Sequence, residues 1–185
     1  MKVIKTNIEG LLIIEPDVFK DNRGYFYESF SREKYKEFNN NSEFVQDNIS
    51  KSVKGTIRGL HYQVGDKAQG KLCFVISGEV LDVAVDIRFN SPTFGKHYAH
   101  LLNSEQKTQI WIPPGMAHGF SVLSDEAIFA YKCTEYYSKE HERAILCNDP
   151  DLNIDWKIKN PLVSPKDLQA KRFKDIEKDF IYSRK

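Results

Sequence analysis

The octapeptide LDVAVDIR at residues 81–88 alternates apolar and polar side chains more regularly than any other part of the chain. An alternation of period two is typical of a β-strand, with the four odd-numbered residues on one face and both aspartates on the other. An apolar run at residues 71–76 precedes it, and the SGE tripeptide at residues 77–79 between the two runs is a turn signal. The stretch therefore predicts a hairpin within a β fold.

Similar short runs recur along most of the chain, separated by turn residues. They lie at residues 11–15, 25–30, 46–50, 56–63, 97–102, 109–112, 119–123 and 127–134. This spacing is typical of a β-sandwich or barrel. Helical signals are few: Ser31 can cap one short helix, and Ser164-Pro165 can open a second. We therefore predict a mainly β fold and, because 185 residues suit one hydrophobic core, a single domain spanning residues 1–185.

The composition argues against several classes of partner. The chain has 27 Lys and Arg against 26 Asp and Glu, so its net charge of +1 creates no field that attracts nucleic acid or an anionic membrane. The apolar block at residues 11–14 is too short for a signal peptide or a membrane span. The three cysteines are odd in number and lack CxxC spacing, which favours free buried thiols. We expect a cytoplasmic protein without nucleic-acid or membrane partners.

The segment RGLHYQ at residues 58–63 contains a candidate general base, His61. On an extended strand, His61 and Gln63 face one way and Arg58 the other. Gly59 permits a bulge that would bring the arginine round to the same side. A single histidine on a strand is more often structural than catalytic. The segment alone therefore leaves both interpretations open.

Three cationic residues are candidates for binding anions. Lys71 shares a strand face with Cys73, so if that face points into the barrel, the lysine must pair with an anion or lose its proton. Alternatively, Lys71 is a charge on an edge strand that prevents aggregation. His61 and Lys71 together suit removal of a proton beside a ketone and stabilisation of the enolate that results. Arg23 lies on a turn, where arginines are usually solvated, but with Arg58 it offers the planar fork that a diphosphate needs.

Two further residues have both a structural and a catalytic interpretation. Tyr131 shares a strand face with Phe129 and Cys133, where a buried tyrosine commonly serves packing alone. Asp167 stands three residues after Ser164, in a pattern typical of a helix N-terminus. The two carboxylate oxygens of Asp167 allow it to cap the helix and to bind a second group.

These segments, in order along the chain, resemble the dTDP-4-dehydrorhamnose 3,5-epimerases, the cupin-fold enzymes of dTDP-L-rhamnose synthesis. The matching motifs are IEP at 14–16, RGYFYE at 23–28, VQDN at 45–48, RGLHYQ at 58–63, QGKL at 69–72, DVAVD at 82–86, SPTFG at 91–95, IPPGMAHGF at 112–120, YK at 131–132, NDP at 148–150, IDW at 154–156 and SPKD at 164–167. So many motifs in one order make the resemblance specific. It implies a cupin-type antiparallel β-barrel or jelly roll with a few short helices.

The resemblance also implies roles for individual residues. His61 would remove the protons next to the ketone, oriented by Asp167, while Tyr131 would return a proton from the opposite face and Lys71 would stabilise the enolate oxygen. The residues that would line the nucleotide-sugar site are Arg23, Glu28, Gln46, Asp47, Asn48, Arg58, Lys71, His118, Tyr137, Glu142 and Lys166. The family forms homodimers that exchange N-terminal strands, so Arg23 and Glu28 would reach the partner's site.

The implied reaction is 3,5-epimerisation of a dTDP-linked 4-keto-6-deoxy sugar, dTDP-4-dehydro-6-deoxy-D-glucose, to dTDP-4-dehydro-L-rhamnose. We expect no cofactor and no metal: cupins place a metal ligand in a turn such as the one that delivers His118, but Gln63 and Lys71 stand where further ligands are needed. Cys147 replaces a tryptophan and Ala144 a glycine of the family pattern, which leaves the ligand preference open near Glu142.

Four alternatives remain open on the sequence. Two keep the same catalytic set: inversion at C3 only, and a CDP- or GDP-linked sugar. Tyr137 resembles a residue near the sugar in the 3,5-epimerases and favours the double inversion. The other two are a non-catalytic sugar-nucleotide-binding module and a metal-dependent cupin oxygenase.

Overall fold

The computed structural model describes residues 1–39 and 41–183, so residues 40, 184 and 185 of the predicted domain lie outside the described residues. The strands are β1 (Lys2–Lys5), β2 (Leu12–Glu15), β3 (Phe19–Asp21), β4 (Gly24–Phe26), β5 (Gln46–Val53), β6 (Thr56–Gln63), β7 (Lys71–Ser77), β8 (Glu79–Asp86), β9 (His97–Asn103), β10 (Gln109–Ile112), β11 (Met116–Val122), β12 (Glu126–Cys133), β13 (Glu142–Ala144) and β14 (Leu162–Val163). The α-helices are α1 (Arg32–Tyr35) and α2 (Pro165–Leu168), and single 3₁₀ turns lie at Gly65–Lys67 and Phe173–Asp175. Each run predicted from the sequence overlaps one of these strands.

The larger strands form two sheets. The first sheet has the order β1-β2-β10-β7-β12-β5, and the second has the order β13-β6-β11-β8-β9, with β14 added beside β6. Neighbouring strands are antiparallel, except that β14 runs parallel to β6. A separate hairpin joins β3 and β4. The mainly β fold with short helices is confirmed. In the described residues, no helix is both long and apolar enough to span a membrane.

The hairpin predicted between residues 71–76 and 81–88 is wrong. β7 lies in the first sheet and β8 in the second, so the turn between them carries the chain from one sheet to the other. Gly78 makes this turn with a φ of +84°, and a Cβ at its position would lie 2.2 Å from the Glu126 carbonyl oxygen. Alternation in a sequence specifies the two faces of a strand, but it does not specify the strand's neighbour.

The two faces of β8 are both buried, in different layers. The alternate residues Val80 and Ala84 belong to the core between the sheets. The odd-numbered residues Leu81, Val83 and Val85 belong to a second core on the outer side, which the C-terminal segment covers. The polar face of LDVAVDIR therefore points into the barrel, and its apolar face packs outward.

Three apolar clusters hold these layers together. The one between the sheets contains Ile13, Val75, Leu102, Ile110, Ile112, Phe120, Val122 and Phe129, among others. The one on the outer side of the second sheet adds Ile57, Leu60, Tyr62, Ile145, Cys147, Leu152 and Trp156. On the outer side of the first sheet, α1 contributes Tyr35 to a third cluster with Leu12, Ile14, Leu72 and Trp111. Two of the clusters therefore cover the outer faces of the sheets, and the third lies between the sheets.

The two short helices differ at their N-termini. Ser164 caps α2, because its Oγ accepts a hydrogen bond of 3.1 Å from the backbone N–H of Asp167. Ser31 occupies the equivalent position of α1, but its side chain makes no capping hydrogen bond. The sequence pattern predicted both helices, whereas a side-chain cap is present at Ser164 and absent at Ser31.

We predict that Ser164→Ala lowers the free energy of unfolding by about 1 kcal/mol, because the N–H of Asp167 loses its acceptor. Ser31→Ala is the matched control and should change that free energy by less than about 0.5 kcal/mol. Chemical denaturation of both variants measures the difference. Equal losses would contradict a specific capping role for Ser164.

Candidate active site

A cavity of about 720 Å³ opens between the two sheets. Its floor is formed by Phe120 and Phe129, whose rings stack with centroids 4.2 Å apart. The polar residues that line it are Asn48, Ser50, Thr56, Arg58, His61, Lys71, His118, Tyr131, Ser164, Lys166 and Asp167. A smaller pocket of about 150 Å³ adjoins it and shares four lining residues, Asn48, His61, Lys71 and Tyr131. All four residues predicted to be catalytic line this one space.

His61 and Asp167 form a partly buried hydrogen-bonded pair. The distance from His61 Nε2 to Asp167 Oδ1 is 2.7 Å, and the Asp167 side chain is 5% exposed against 31% for His61. Burial alone would raise the pKa of Asp167, but the hydrogen bonds and charge of His61, together with the N–H of Gly59, bring it below its ordinary value. The carboxylate is therefore ionised at neutral pH and accepts the Nε2 proton, which leaves the lone pair on Nδ1.

A close approach between β6 and β11 brings Arg58 to the same side as His61. The pairing of the two strands shifts register between His118 and Phe120. A Cβ on Gly59 would lie 2.6 Å from the Cα of Gly119, so neither position has room for a side chain. The bulge that the sequence permitted is present, and Arg58 and His61 both line the cavity.

Tyr131 and Lys71 face His61 from the opposite wall. Both lie on strands of the first sheet, β12 and β7, whereas His61 lies on β6 of the second. Burial, with smaller contributions from Cys133 and Cys73, raises the pKa of Tyr131 to about 12, so its phenol keeps its proton at neutral pH. The Lys71 ammonium lies 5.8 Å from the centroid of the Tyr131 ring. A proton donor and a cation therefore stand across the cavity from a proton acceptor.

A second histidine–carboxylate pair lies deeper in the barrel. His118 Nε2 lies 2.9 Å from Asp82 Oδ2, and Asp82 is fully buried. Burial lowers the pKa of His118 despite the opposing effect of Asp82. We did not predict Asp82 as a site residue. The signal that points to it is its place on the polar face of LDVAVDIR, which is informative only when that face is known to point inward.

Polar residues at the rim form a connected network. Glu142 Oε2 accepts hydrogen bonds from Lys166 Nζ at 2.5 Å and from the Tyr137 hydroxyl at 3.0 Å. Gln46 Oε1 accepts from the backbone N–H of Tyr137 at 2.9 Å, and its Nε2 donates to Asn48 at 3.0 Å. Burial would raise the pKa of Glu142, but Lys166 and Tyr137 keep it below its ordinary value. The structure therefore brings together five of the predicted binding residues, Gln46, Asn48, Tyr137, Glu142 and Lys166.

Three of the predicted binding residues do not line the cavity of their own chain. Asp47 points away and accepts from Lys132 Nζ at 2.9 Å. Arg23 is exposed on the β3–β4 hairpin and pairs with Asp21 at 2.6 Å, and Glu28 pairs with Lys34. The alternation of β5 explains Asp47, because Gln46 and Asn48 take the inward face.

The cupin metal ligands are not assembled at Gln63. Its Nε2 donates to the carbonyls of Lys67 and Tyr136, at 2.7 and 3.1 Å, and its Oε1 accepts from the N–H of Ser138 at 2.7 Å. The amide therefore holds two loops in place. Its donors and acceptor are used by the backbone, so the set expected of a metal-dependent cupin is not offered here.

The two departures from the family pattern lie at different places. Ala144 pairs with His61 in the register of β13 and β6, so it is directly beside the site. Cys147 is buried in the outer cluster, where its carbonyl accepts a hydrogen bond of 2.6 Å from Trp156 Nε1. It lines a separate cavity of about 410 Å³ on that side. Of the two departures, Ala144 is therefore the one that bears directly on the wall near Glu142.

Comparison with known proteins identifies the family. The family model described as dTDP-4-dehydrorhamnose 3,5-epimerase matches residues 5–175. The chain belongs to the dTDP-4-dehydrorhamnose 3,5-epimerase family. The epimerase of Shigella flexneri is 55% identical over 178 residues, which cover 96% of this chain and 98% of that protein. The epimerase of Pseudomonas aeruginosa is 49% identical over 179 residues, with coverages of 96% and 98%.

A solved structure shows the same architecture. The dTDP-6-deoxy-D-glucose-3,5-epimerase of Legionella pneumophila, determined in complex with dTDP-4-keto-L-rhamnose, is 50% identical and superimposes with a TM-score of 0.95. The match covers 99% of both chains. The predicted family and the predicted cupin-type fold are both confirmed.

Proposed function

We propose that this chain is an isomerase that inverts C3 and C5 of dTDP-4-dehydro-6-deoxy-D-glucose and forms dTDP-4-dehydro-L-rhamnose. The observation that carries the proposal is the placement of His61 with Asp167 on one wall of the cavity and Tyr131 with Lys71 on the other. Inversion at carbon needs a base on one face and an acid on the other. Family membership supports the same reaction, and the free, buried cysteines suit a cytoplasmic enzyme.

The reaction begins at the His61 imidazole. Its Nε2 proton is held by Asp167, so the Nδ1 lone pair removes a proton from the carbon next to the C4 ketone. The electron pair of the broken C–H bond moves into the enolate, whose negative oxygen is stabilised by the Lys71 ammonium. Asp167 stabilises the imidazolium that forms. Asp167 thus stabilises the positive charge on His61, and Lys71 stabilises the negative charge on the enolate.

Tyr131 completes the inversion. Its phenol is protonated at neutral pH because burial raises the pKa to about 12, and it donates that proton to the opposite face of the carbon. His61 then holds one proton too many and Tyr131 one too few, so exchange with water must restore both before the second carbon reacts. No metal takes part in these steps. The chemistry therefore incorporates one solvent hydrogen at each inverted carbon.

We assign Arg58 and the rim network to binding of the nucleotide sugar. Arg58, whose Nε donates to Ser52 at 3.0 Å, presents a guanidinium to the cavity and suits a diphosphate. Lys166 adds a second cation, and Tyr137 with Glu142 offers hydrogen bonds to the sugar.

A C3-only enzyme or a CDP- or GDP-linked substrate uses the same catalytic set. A non-catalytic binding module has no need of an acid and a base on opposite walls.

The reaction is tested by incubating the candidate nucleotide sugars in deuterated water and reading the label at C3 and C5 by NMR. We predict label at both carbons with the dTDP-linked sugar, and a loss of at least about 100-fold at both in His61→Asn. His97→Asn, on β9 and away from the cavity, is the matched control and should exchange like the parent. Label at C3 alone would make the chain a monoepimerase, and undiminished exchange in His61→Asn would remove His61 as the base.

The acid is tested separately in Tyr131→Phe. We predict that exchange falls by less than about tenfold while epimerised product falls by at least about 100-fold. The reason is that His61, once its proton has exchanged with solvent, returns a deuteron to the face it attacked. Tyr136→Phe, at an exposed tyrosine of the same region, should leave both rates unchanged. If both rates fell by one factor in Tyr131→Phe, the residue would serve positioning and not proton transfer.

We also propose that the enzyme is a homodimer with shared sites. Arg23 and Glu28 lie outside the cavity of their own chain, as the exchange of N-terminal strands requires. The same hairpin exposes Phe19 and Phe26, 65% and 67% accessible, and Ile49 on the edge strand β5 is 70% accessible. Exposed apolar side chains of this size are typical of an interface. If the β3–β4 hairpin packed against a partner subunit, it would carry Arg23 toward that subunit's cavity instead of its own.

Mixing two inactive variants tests the shared site. In a mixed dimer of Arg23→Ala and His61→Ala chains, one site has an intact His61 and an intact Arg23 from its partner. We predict that equal mixing restores about a quarter of the parent activity, since half the dimers are mixed and each has one intact site. With epimerised product as the readout, His61→Ala mixed with Tyr131→Phe is the control and should gain nothing on mixing. With subunit exchange verified, absence of recovery in the first mixture would mean that each chain builds its site alone.

A further inference from the structure

A buried group of three potential metal ligands lies beneath the catalytic cavity. The Cys73 Sγ lies 3.9 Å from His118 Nε2, which in turn lies 2.9 Å from Asp82 Oδ2. The three donor atoms all fall within 4.8 Å of one another. Cys73 and Asp82 are fully buried and His118 is 6% exposed. Of the three residues, only His118 stands where cupins place a metal ligand, whereas Cys73 and Asp82 lie elsewhere on β7 and β8.

The three side chains are held by rigid elements. Cys73 lies on β7 of the first sheet, whereas Asp82 and His118 lie on the neighbouring strands β8 and β11 of the second. A site built on strands of two packed sheets keeps its geometry without a loop having to close over it. A ligand bound here would therefore bridge the two sheets.

Asp82 gives independent evidence that this group can bind a further ligand. Its Oδ2 is bonded to His118, but its Oδ1 is buried without a hydrogen-bond partner among the residues that the structure describes. A buried carboxylate oxygen without a partner is costly, and a coordinated cation would satisfy it. The unpartnered oxygen belongs to one of the three ligands.

The donor set selects a particular kind of ion. Thiolate, imidazole and carboxylate together are typical of Zn²⁺, which binds them at about 2.0–2.3 Å in a tetrahedron, so that the donor atoms lie about 3.3–3.7 Å apart. The separations of 3.9 and 2.9 Å lie on either side of that range and the third pair of donor atoms lies within 4.8 Å, so side-chain rotations would have to bring the three donors into the tetrahedron. The fourth position is available to a water or a substrate oxygen, because His118 also lines the cavity.

We propose that Cys73, Asp82 and His118 form an inhibitory site for Zn²⁺. On binding, the Cys73 thiol releases its proton to solvent, and the His118 proton moves from Nε2 to Nδ1 by exchange with solvent, so that the neutral imidazole binds the ion through Nε2. The thiolate and the carboxylate neutralise the two charges of the ion. The inhibition rests on the proposed function, since Zn²⁺ would occupy Nε2 of His118, a predicted substrate-binding residue, and place a second cation near Lys71. Binding itself does not depend on that function.

Binding is measured first, on the full chain stripped of metal with a strong chelator. Co²⁺ serves as the spectroscopic probe, because a thiolate ligand gives a charge-transfer band and a tetrahedral site gives intense visible bands. We expect one equivalent of Co²⁺ with a thiolate band, displaced by Zn²⁺. Cys73→Val should abolish the band and weaken Zn²⁺ binding at least tenfold. Cys73→Ser, a second variant of nearly unchanged volume, should also lose the band.

Cys147→Val is the matched control, because that thiol is buried on the outer side of the second sheet. It should bind both metals like the parent chain. Cys133→Ala tests the other thiol of the barrel, which contacts Asn48 Nδ2 at 3.6 Å, and it should also keep the band. A band that survives in both Cys73 variants, a band lost in Cys133→Ala, or no stoichiometric binding by the parent would overturn the site.

Inhibition is measured next, by titrating Zn²⁺ into the deuterium-exchange assay. We expect the parent chain to lose activity and to regain it fully with a chelator, whereas Cys73→Val stays active at the same Zn²⁺ concentration. Full activity after chelation also separates this role from a catalytic metal. If Co²⁺ binds as described but no nucleotide sugar exchanges, the proposed function fails and the binding site stands. If the sugars exchange but Zn²⁺ inhibits parent and Cys73→Val equally, the inference fails and the proposed function stands.

Discussion

The close contact of two glycines fixes the arrangement on which the site depends. Gly59 on β6 and Gly119 on β11 bring the backbones so near that a Cβ on either would lie 2.6 Å from the other strand. The register shift that results adds one residue to β6 on one side of the pairing. Without it, strict alternation would turn Arg58 to the outer face, away from His61. The contact thus decides which side chains the cavity can use, although neither glycine has a side chain of its own.

Two histidines lie in the polar interior of the barrel, and each is stabilised by a hydrogen bond to a carboxylate, in different surroundings. His61 is partly open to the cavity and pairs with a carboxylate from the C-terminal segment. His118 is buried and pairs with Asp82 inside the barrel, where burial lowers its pKa. The same two functional groups therefore lie in different surroundings, one pair at the wall of the cavity and the other deeper in the barrel.

Much of the fold and site could be predicted because local patterns carry them. Alternation predicted the strands, the serine and proline at 164–165 predicted a helix, and ordered motifs predicted the family. The placement of β7 and β8 in different sheets could not be predicted, because the turn at Gly78 is locally like a hairpin and only packing shows that the chain changes sheets. Asp82 was missed for a related reason: its role depends on which face of its strand points inward. Asp47 lay in a matching motif, yet in the chain itself the strand turns it away from the cavity toward Lys132.

The pair of His61 and Asp167 joins residues that are 106 positions apart in the chain. Closing so long a segment costs conformational entropy, which the contacts of the C-terminal segment with the outer face of the second sheet must offset. During synthesis on the ribosome, every strand from β1 to β13 emerges before residue 167 does. The barrel can therefore pair its strands first, and the imidazole acquires its carboxylate only when the last part of the chain has docked. The proposed base thus gains its partner only at a late stage of folding.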